Sequence, residues 1–87
     1  MSTLTSEVTV TNPQGLHARP AAELVELMKS LDATVTIDVG DKTAKANSIM
    51  SVLALGAGTG SVATVHADGP DAEKAIDAAT EILRSDD

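Results

Sequence analysis

His17 stands in the stretch GLHARP, residues 15–20, with Gly15 before it, Arg19 two places after it and Pro20 beyond. A neutral imidazole offers a nitrogen lone pair near neutral pH, as a base, a metal ligand or a nucleophile. Proline lacks an N–H and has φ fixed near the helical value, so Pro20 belongs in a first helical turn. That puts His17 and Ala18 where the chain enters a helix. The unpaired amides and the dipole of a helix start favour an anion, by about 0.3–1 kcal/mol per charge. Arg19 adds a planar cation that can fork onto two oxygens, and Gly15 lets the backbone turn tightly ahead of the ring. Together they suit a nitrogen that attacks phosphorus and then carries a dianionic group held by amides and a guanidinium. The plainer alternative is a histidine that caps the helix or bonds a loop carbonyl. Neither needs a metal, and two histidines without a cysteine make a poor metal cluster.

The elements that must hold this group follow from composition and period. Eighty-seven residues are expected to form one domain, 1–87, with one core. With 43% apolar residues and no Phe, Tyr or Trp, that core is aliphatic. The absence of cysteine excludes disulfides and thiol chemistry and fits a reducing compartment, with cytoplasm the default. The first residues, MSTLTSEVTV, lack the basic and apolar regions of a secretory signal, and no stretch is long enough to span a bilayer. A net charge of −7 argues against nucleic acid and anionic lipid as partners. The charge itself is read as solubility, with a salt-rich cytoplasm or basic patches on protein partners as the other two readings. Monomer is the default state.

Glu7 to Thr11 alternates as a half-buried strand, with Val8 and Val10 inward, and NPQG breaks it. Ala21, Leu24, Val25, Met28 and Leu31 then form one helical stripe opposite Glu23, Glu26 and Lys29. Thr34 to Val39 alternates again, Gly40-Asp41 is a hairpin turn, and Lys42 to Ala46 is a third strand. Asn47 and Ser48 are N-cap residues for a short helix from Ile49 to about Leu55, which the run GAGTG ends as a loop. Ser61 to Ala67 is a fourth strand with Ala63, Val65 and Ala67 inward. His66 is therefore expected to be an exposed sheet residue without chemistry. Pro70 opens a last helix with a stripe of Ala72, Ala75, Ile76, Ala79 and Leu83, and Asp86 and Asp87 are a frayed tail. The order βαββαβα makes an α+β two-layer sandwich. Ile49, Met50, Val52, Leu53 and Leu55 are too many apolar residues for one side of a two-turn helix. With Ala22, the residues Ile49, Met50 and Leu53 are expected to form a partner-binding patch beside the His17 loop. The narrower alternative buries Ile49 and Leu53 and leaves only Met50 outside.

GLHARPAA, followed by an amphipathic helix and then by NSIMSVLALG, closely resembles HPr, the histidine-containing phosphocarrier family of the bacterial phosphoenolpyruvate-dependent sugar phosphotransferase system. The likeness runs from EVTV to the last helix. It implies an open-faced sandwich, a four-stranded antiparallel sheet with three helices on one face. It further implies that His17 accepts a phosphoryl group on Nδ1 from phosphorylated Enzyme I and passes it to sugar-specific A-type permease subunits. Arg19 would stabilise the phosphate, and Gly15 and Pro20 would set the loop and the helix start. Such a protein is a relay rather than an enzyme and takes no cofactor. Ser48 matches the serine that a dedicated HPr kinase/phosphorylase modifies in many Gram-positive bacteria, where a catabolite-control transcription factor is a further partner. Asn47 stands where many members carry a basic residue, which weakens recognition by such a kinase, and a plain N-cap is the alternative role for Ser48. Ala18 and Gln14 occupy positions that the family varies. Competing functions are a nitrogen-branch phosphocarrier, a regulatory binding module of the HPr-like type and a small metabolite-binding domain. Modules of the regulatory type often lack the active histidine, and a metabolite pocket would need a polar cluster the chain does not offer.

Overall fold

Period-two alternation builds four strands and 3.6-residue stripes build three helices. They are β1 (Leu4–Thr9), α1 (Ala18–Ser30), β2 (Thr34–Val39), β3 (Lys42–Lys45), α2 (Ile49–Ala54), β4 (Val62–Asp68) and α3 (Ala72–Leu83). The computed structural model describes residues 3–11, 13 and 15–84, so Gln14, Asp86 and Asp87 lie outside it. The strands form one antiparallel sheet in the order β1-β4-β2-β3. Register places Val8 opposite Ala63, Val35 opposite Ala67, and Ile37 between Val65 and Ala44, so the apolar rows share one face. All three helices cover that face, with α1 packed against both α2 and α3. The result is the α+β open-faced sandwich expected from the sequence. Leu24, Ile37, Leu83, Val10, Val52 and Val65 are its largest fully buried side chains.

The differences from expectation are local. β1 begins three residues earlier, at Leu4, and leaves the ladder before Val10. Val10 instead exchanges 2.8 Å bonds with Ser61 and Gly60: its N–H donates to the Ser61 carbonyl, and its own carbonyl accepts from Gly60. In α3 the buried stripe takes in Ile82, while Ile76 is only half-buried. Pro70 stands before the N-cap of α3, which is Asp71. The Asp71 carboxylate does not cap its own helix; it accepts the Asp32 N–H at 2.8 Å, and the Asp71 N–H returns a 3.0 Å bond to the Asp32 carbonyl. Among the described residues no helix is long and apolar enough to cross a membrane.

His66 faces away from Val65 and Ala67, as its strand position predicts, but it is bonded to its neighbours. It lies on the open face, about one-third exposed, and its Nε2–H donates to Asp38 Oδ2 at 2.9 Å. The Thr5 hydroxyl is hydrogen-bonded to its Nδ1 at 3.2 Å, and the Thr43 hydroxyl donates to Asp38 Oδ1 at 2.7 Å. One hydrogen-bonded chain thus crosses all four strands. The Thr43 bond, followed by the His66 bond, holds the Asp38 carboxyl below its ordinary value of 3.8.

Candidate functional site

His17 is the N-cap of α1, with extended backbone at φ −87° and ψ −171°. Its entry into the helix is set by a tight turn. Gly15 has φ +70°, a left-handed value glycine adopts readily, and the His17 N–H donates to the Gly15 carbonyl at 3.1 Å. The His17 carbonyl takes the first helical bond, from the Ala21 N–H at 3.1 Å. Pro20 is the third helical residue and buried, so its missing donor falls where a helix start leaves donors unpaired anyway. The N–H groups of Ala18 and Arg19 have no partner among the described residues, and neither a side-chain cap nor an acidic residue occupies the first turn. Two amide donors and the positive end of a thirteen-residue helix are thus left beside the ring.

The imidazole is half-buried. Its Nδ1 is buried and has no hydrogen-bond partner. A buried polar atom left unpaired costs roughly 1–3 kcal/mol, so the ring is held with one nitrogen unsatisfied. Rotation about Cα–Cβ and Cβ–Cγ would carry that nitrogen outward. Arg19 is exposed on the first turn of α1.

A second segment, absent from the sequence reading of the site, supports the turn. The Leu16 N–H donates to the Ala57 carbonyl at 2.8 Å, and the Leu16 side chain is buried. A Cβ on Gly15 would stand 2.6 Å from the Ala57 oxygen and 2.8 Å from Gly58 Cα. The run GAGTG is a loop, as its glycines suggest, but the histidine turn rests directly on it. Its one sequence signal is Ala57, an apolar residue between two glycines that proves to be buried.

Ser48 is the N-cap of α2, and its Oγ accepts the Ser51 N–H at 3.4 Å. Within α2 and its C-cap the core takes Val52 and Leu55, and Leu53 is half-buried. Met50 is 74% and Ile49 38% exposed. The narrower alternative, with Ile49 inside, is therefore overturned: the helix turns Val52 rather than Ile49 to the sheet. Ala22 is half-buried on α1, the helix α2 packs beside. The backbone thus unites Gly15, His17, Arg19 and Pro20, while Ser48, Ile49, Met50 and Leu53 belong to the neighbouring helix.

Two hollows, of about 460 and 440 Å³, lie elsewhere, one against Met28, Leu31 and Val35 and the other along β1 and Thr80. His17 lines neither of them. Among the described residues no three His, Asp or Glu side chains converge as metal ligands would.

Comparison with known proteins gives the same outline. A family model described as "PTS HPr component phosphorylation site" matches residues 4–85. The chain is 39% identical over 71 residues to phosphocarrier protein HPr of Vibrio cholerae, covering 82% of this chain and 84% of that protein. It is 42% identical over 78 residues to phosphocarrier protein NPr of Shewanella violacea, covering 90% and 86%. The crystal structure of a phosphocarrier protein HPr from Bacillus anthracis superposes with a TM-score of 0.91 at 36% identity, over 97% of this chain and all of that one. A turn that presents one histidine at a helix mouth, on a sheet covered by three helices and matched along nearly its whole length, identifies the chain as a member of the HPr family of phosphocarrier proteins.

Proposed function

We propose that the chain is a single-domain phosphoryl carrier in which Nδ1 of His17 accepts a phosphoryl group from phosphorylated Enzyme I and passes it to A-type sugar-permease subunits in the cytoplasm. The observation that carries this reading is the unpartnered Nδ1 beside two unpaired helix-start amides. In the accepting step the Nδ1 lone pair forms a bond to phosphorus as the donor's bond to phosphorus breaks, with the imidazole proton kept on Nε2. The three phosphoryl oxygens then take hydrogen bonds from the Ala18 and Arg19 N–H groups and from the Arg19 guanidinium. Transfer onward reverses these events, so the protein is modified and restored rather than turning over a small substrate. No cofactor enters the scheme. Exposed Met50 and Ile49, with Leu53 and Ala22, supply the apolar contact for protein partners.

Ser48 is a second, regulatory position, modified by an HPr kinase/phosphorylase and read by a catabolite-control transcription factor. Phosphate there would change the charge of the docking helix without abolishing its start. The similarity to an NPr protein favours a second reading, in which the same His17 chemistry serves a nitrogen-linked branch.

Incubation with phosphoenolpyruvate, magnesium and Enzyme I tests the main reading. Intact mass should show one added phosphoryl group that acid removes, absent from His17→Ala. An adduct retained by His17→Ala would refute it.

A further inference from the structure

Both backbone polar groups of Gly58 are held by one residue. The Ser61 N–H donates to the Gly58 carbonyl at 3.0 Å, and the Gly58 N–H donates to Ser61 Oγ at 3.2 Å. Ser61 is in turn fixed to the end of β1, because its carbonyl accepts the Val10 N–H at 2.8 Å. Within the loop the Gly60 N–H also donates to the Val10 carbonyl at 2.8 Å. Gly56 and Gly60 adopt φ +63° and +92°, and residues 58–60 are exposed.

The bond to the hydroxyl matters because of which peptide it grips. The Gly58 N–H and the Ala57 carbonyl are two ends of one planar unit. Ser61 Oγ holds the N–H end, and the Leu16 N–H holds the carbonyl end. Rotation of that plane would turn the Ala57 oxygen away from Leu16 and move the surface against which Gly15 packs. The backbone bond from Ser61 survives replacement by alanine; the grip on the Ala57–Gly58 peptide plane, which needs the hydroxyl, does not.

We infer that Ser61 is a positioning residue for phosphoryl transfer: its hydroxyl locks the Ala57–Gly58 peptide, which sets the Gly15–Leu16 turn and hence His17 at the mouth of α1. This rests on the phosphocarrier reading of His17. Ser61 touches neither the phosphoryl group nor the reacting nitrogen. Its effect reaches them through a displacement of the turn, and misplacement by about 1 Å can cost up to about 100-fold in rate.

The test compares wild type, Ser61→Ala, Ser61→Thr and Ser30→Ala. Ser30→Ala deletes a hydroxyl that donates to the Leu27 carbonyl at 2.8 Å in the last turn of α1, at the opposite end of that helix from His17. Two quantities are measured on the intact protein: kcat/KM for phosphorylation by Enzyme I with phosphoenolpyruvate, and hydrogen exchange at the Leu16 amide. In Ser61→Ala the exchange should quicken and kcat/KM fall by about five- to tenfold, a modest share of the range open to mispositioning. Ser61→Thr should restore both, and Ser30→Ala should alter neither. A Ser61→Ala protein with wild-type kcat/KM overturns the inference, whether or not its Leu16 exchange has quickened. Failure of Ser61→Thr to restore transfer overturns it as well. Absence of phosphorylation in wild type would refute the carrier reading and the transfer role of Ser61 together, and the Leu16 exchange would then report the loop lock alone.

Discussion

His17 matters less for being a histidine than for where its backbone leaves it, with a buried Nδ1 unpaired beside the Ala18 and Arg19 amides. The turn that achieves this depends on Gly15. Substitution by alanine would force a left-handed φ at about 1–2 kcal/mol and press a methyl to 2.6 Å from the Ala57 oxygen. Gly15→Ala should therefore lower the urea midpoint of unfolding and slow phosphoryl acceptance together. Arg19→Lys isolates geometry from charge. It keeps the cation and loses the fork, so phosphoryl transfer should slow by roughly tenfold, in keeping with the 1.5–3 kcal/mol of a charge-assisted hydrogen bond, while thermal stability stays unchanged. The roles of Gly15 and Pro20 were legible in the sequence because both act through their own backbone preferences. Ala57 and Gly58 were not, since they meet the turn across some forty residues of chain and neither carries a reactive group.

At the scale of elements, α2 shows why a cap and an exposed apolar face coincide. Its six residues cannot all face the sheet, so Val52 is buried and Met50 is left outside. The Ser48 cap bond is long, at 3.4 Å, and Ser48→Ala should lower stability by about 0.5 kcal/mol, the low end for an N-cap, by urea unfolding. Incubation with ATP and HPr kinase then separates capping from regulation. An acid-stable adduct lost in Ser48→Ala is the outcome expected of a regulatory serine, and no adduct would leave only the cap. The sheet carries a different prediction. Bonds from Thr43 and His66 hold the Asp38 carboxyl below 3.8, so its contribution is present above that pH and is lost as pH falls through the lower folded value. Asp38→Asn should cost about 0.2–1 kcal/mol at neutral pH, as exposed pairs do, and the difference from wild type should vanish in acid. An unchanged acid limb in chemical denaturation would contradict this. His66 gave no sequence sign of this role, because its partner sits on β2, twenty-eight residues away.

For the whole molecule, the order βαββαβα and the covered face were legible because alternation and helical stripes are written residue by residue. What escaped was set by neighbours in space: the early start of β1, which pairs with the far end of β4, and the entry of Ile82 into the core in place of Ile76. The charge is also distributed by the fold. Of thirteen acidic residues only Glu23 and Glu26 lie on α1, where Arg19 and Lys29 balance them, so the helix that bears the site is near neutral within a chain of net charge −7. In the proposed carrier the first amides of that helix hold an N-linked phosphate. Nuclear magnetic resonance of the phosphorylated, nitrogen-15-labelled protein examines this most directly. Coupling of phosphorus to Nδ1 of His17, with marked downfield shifts of the Ala18 and Arg19 amide protons, is the predicted result. Coupling to Nε2 or to His66, or a phosphorylated His17 that leaves those amides unmoved, would contradict it.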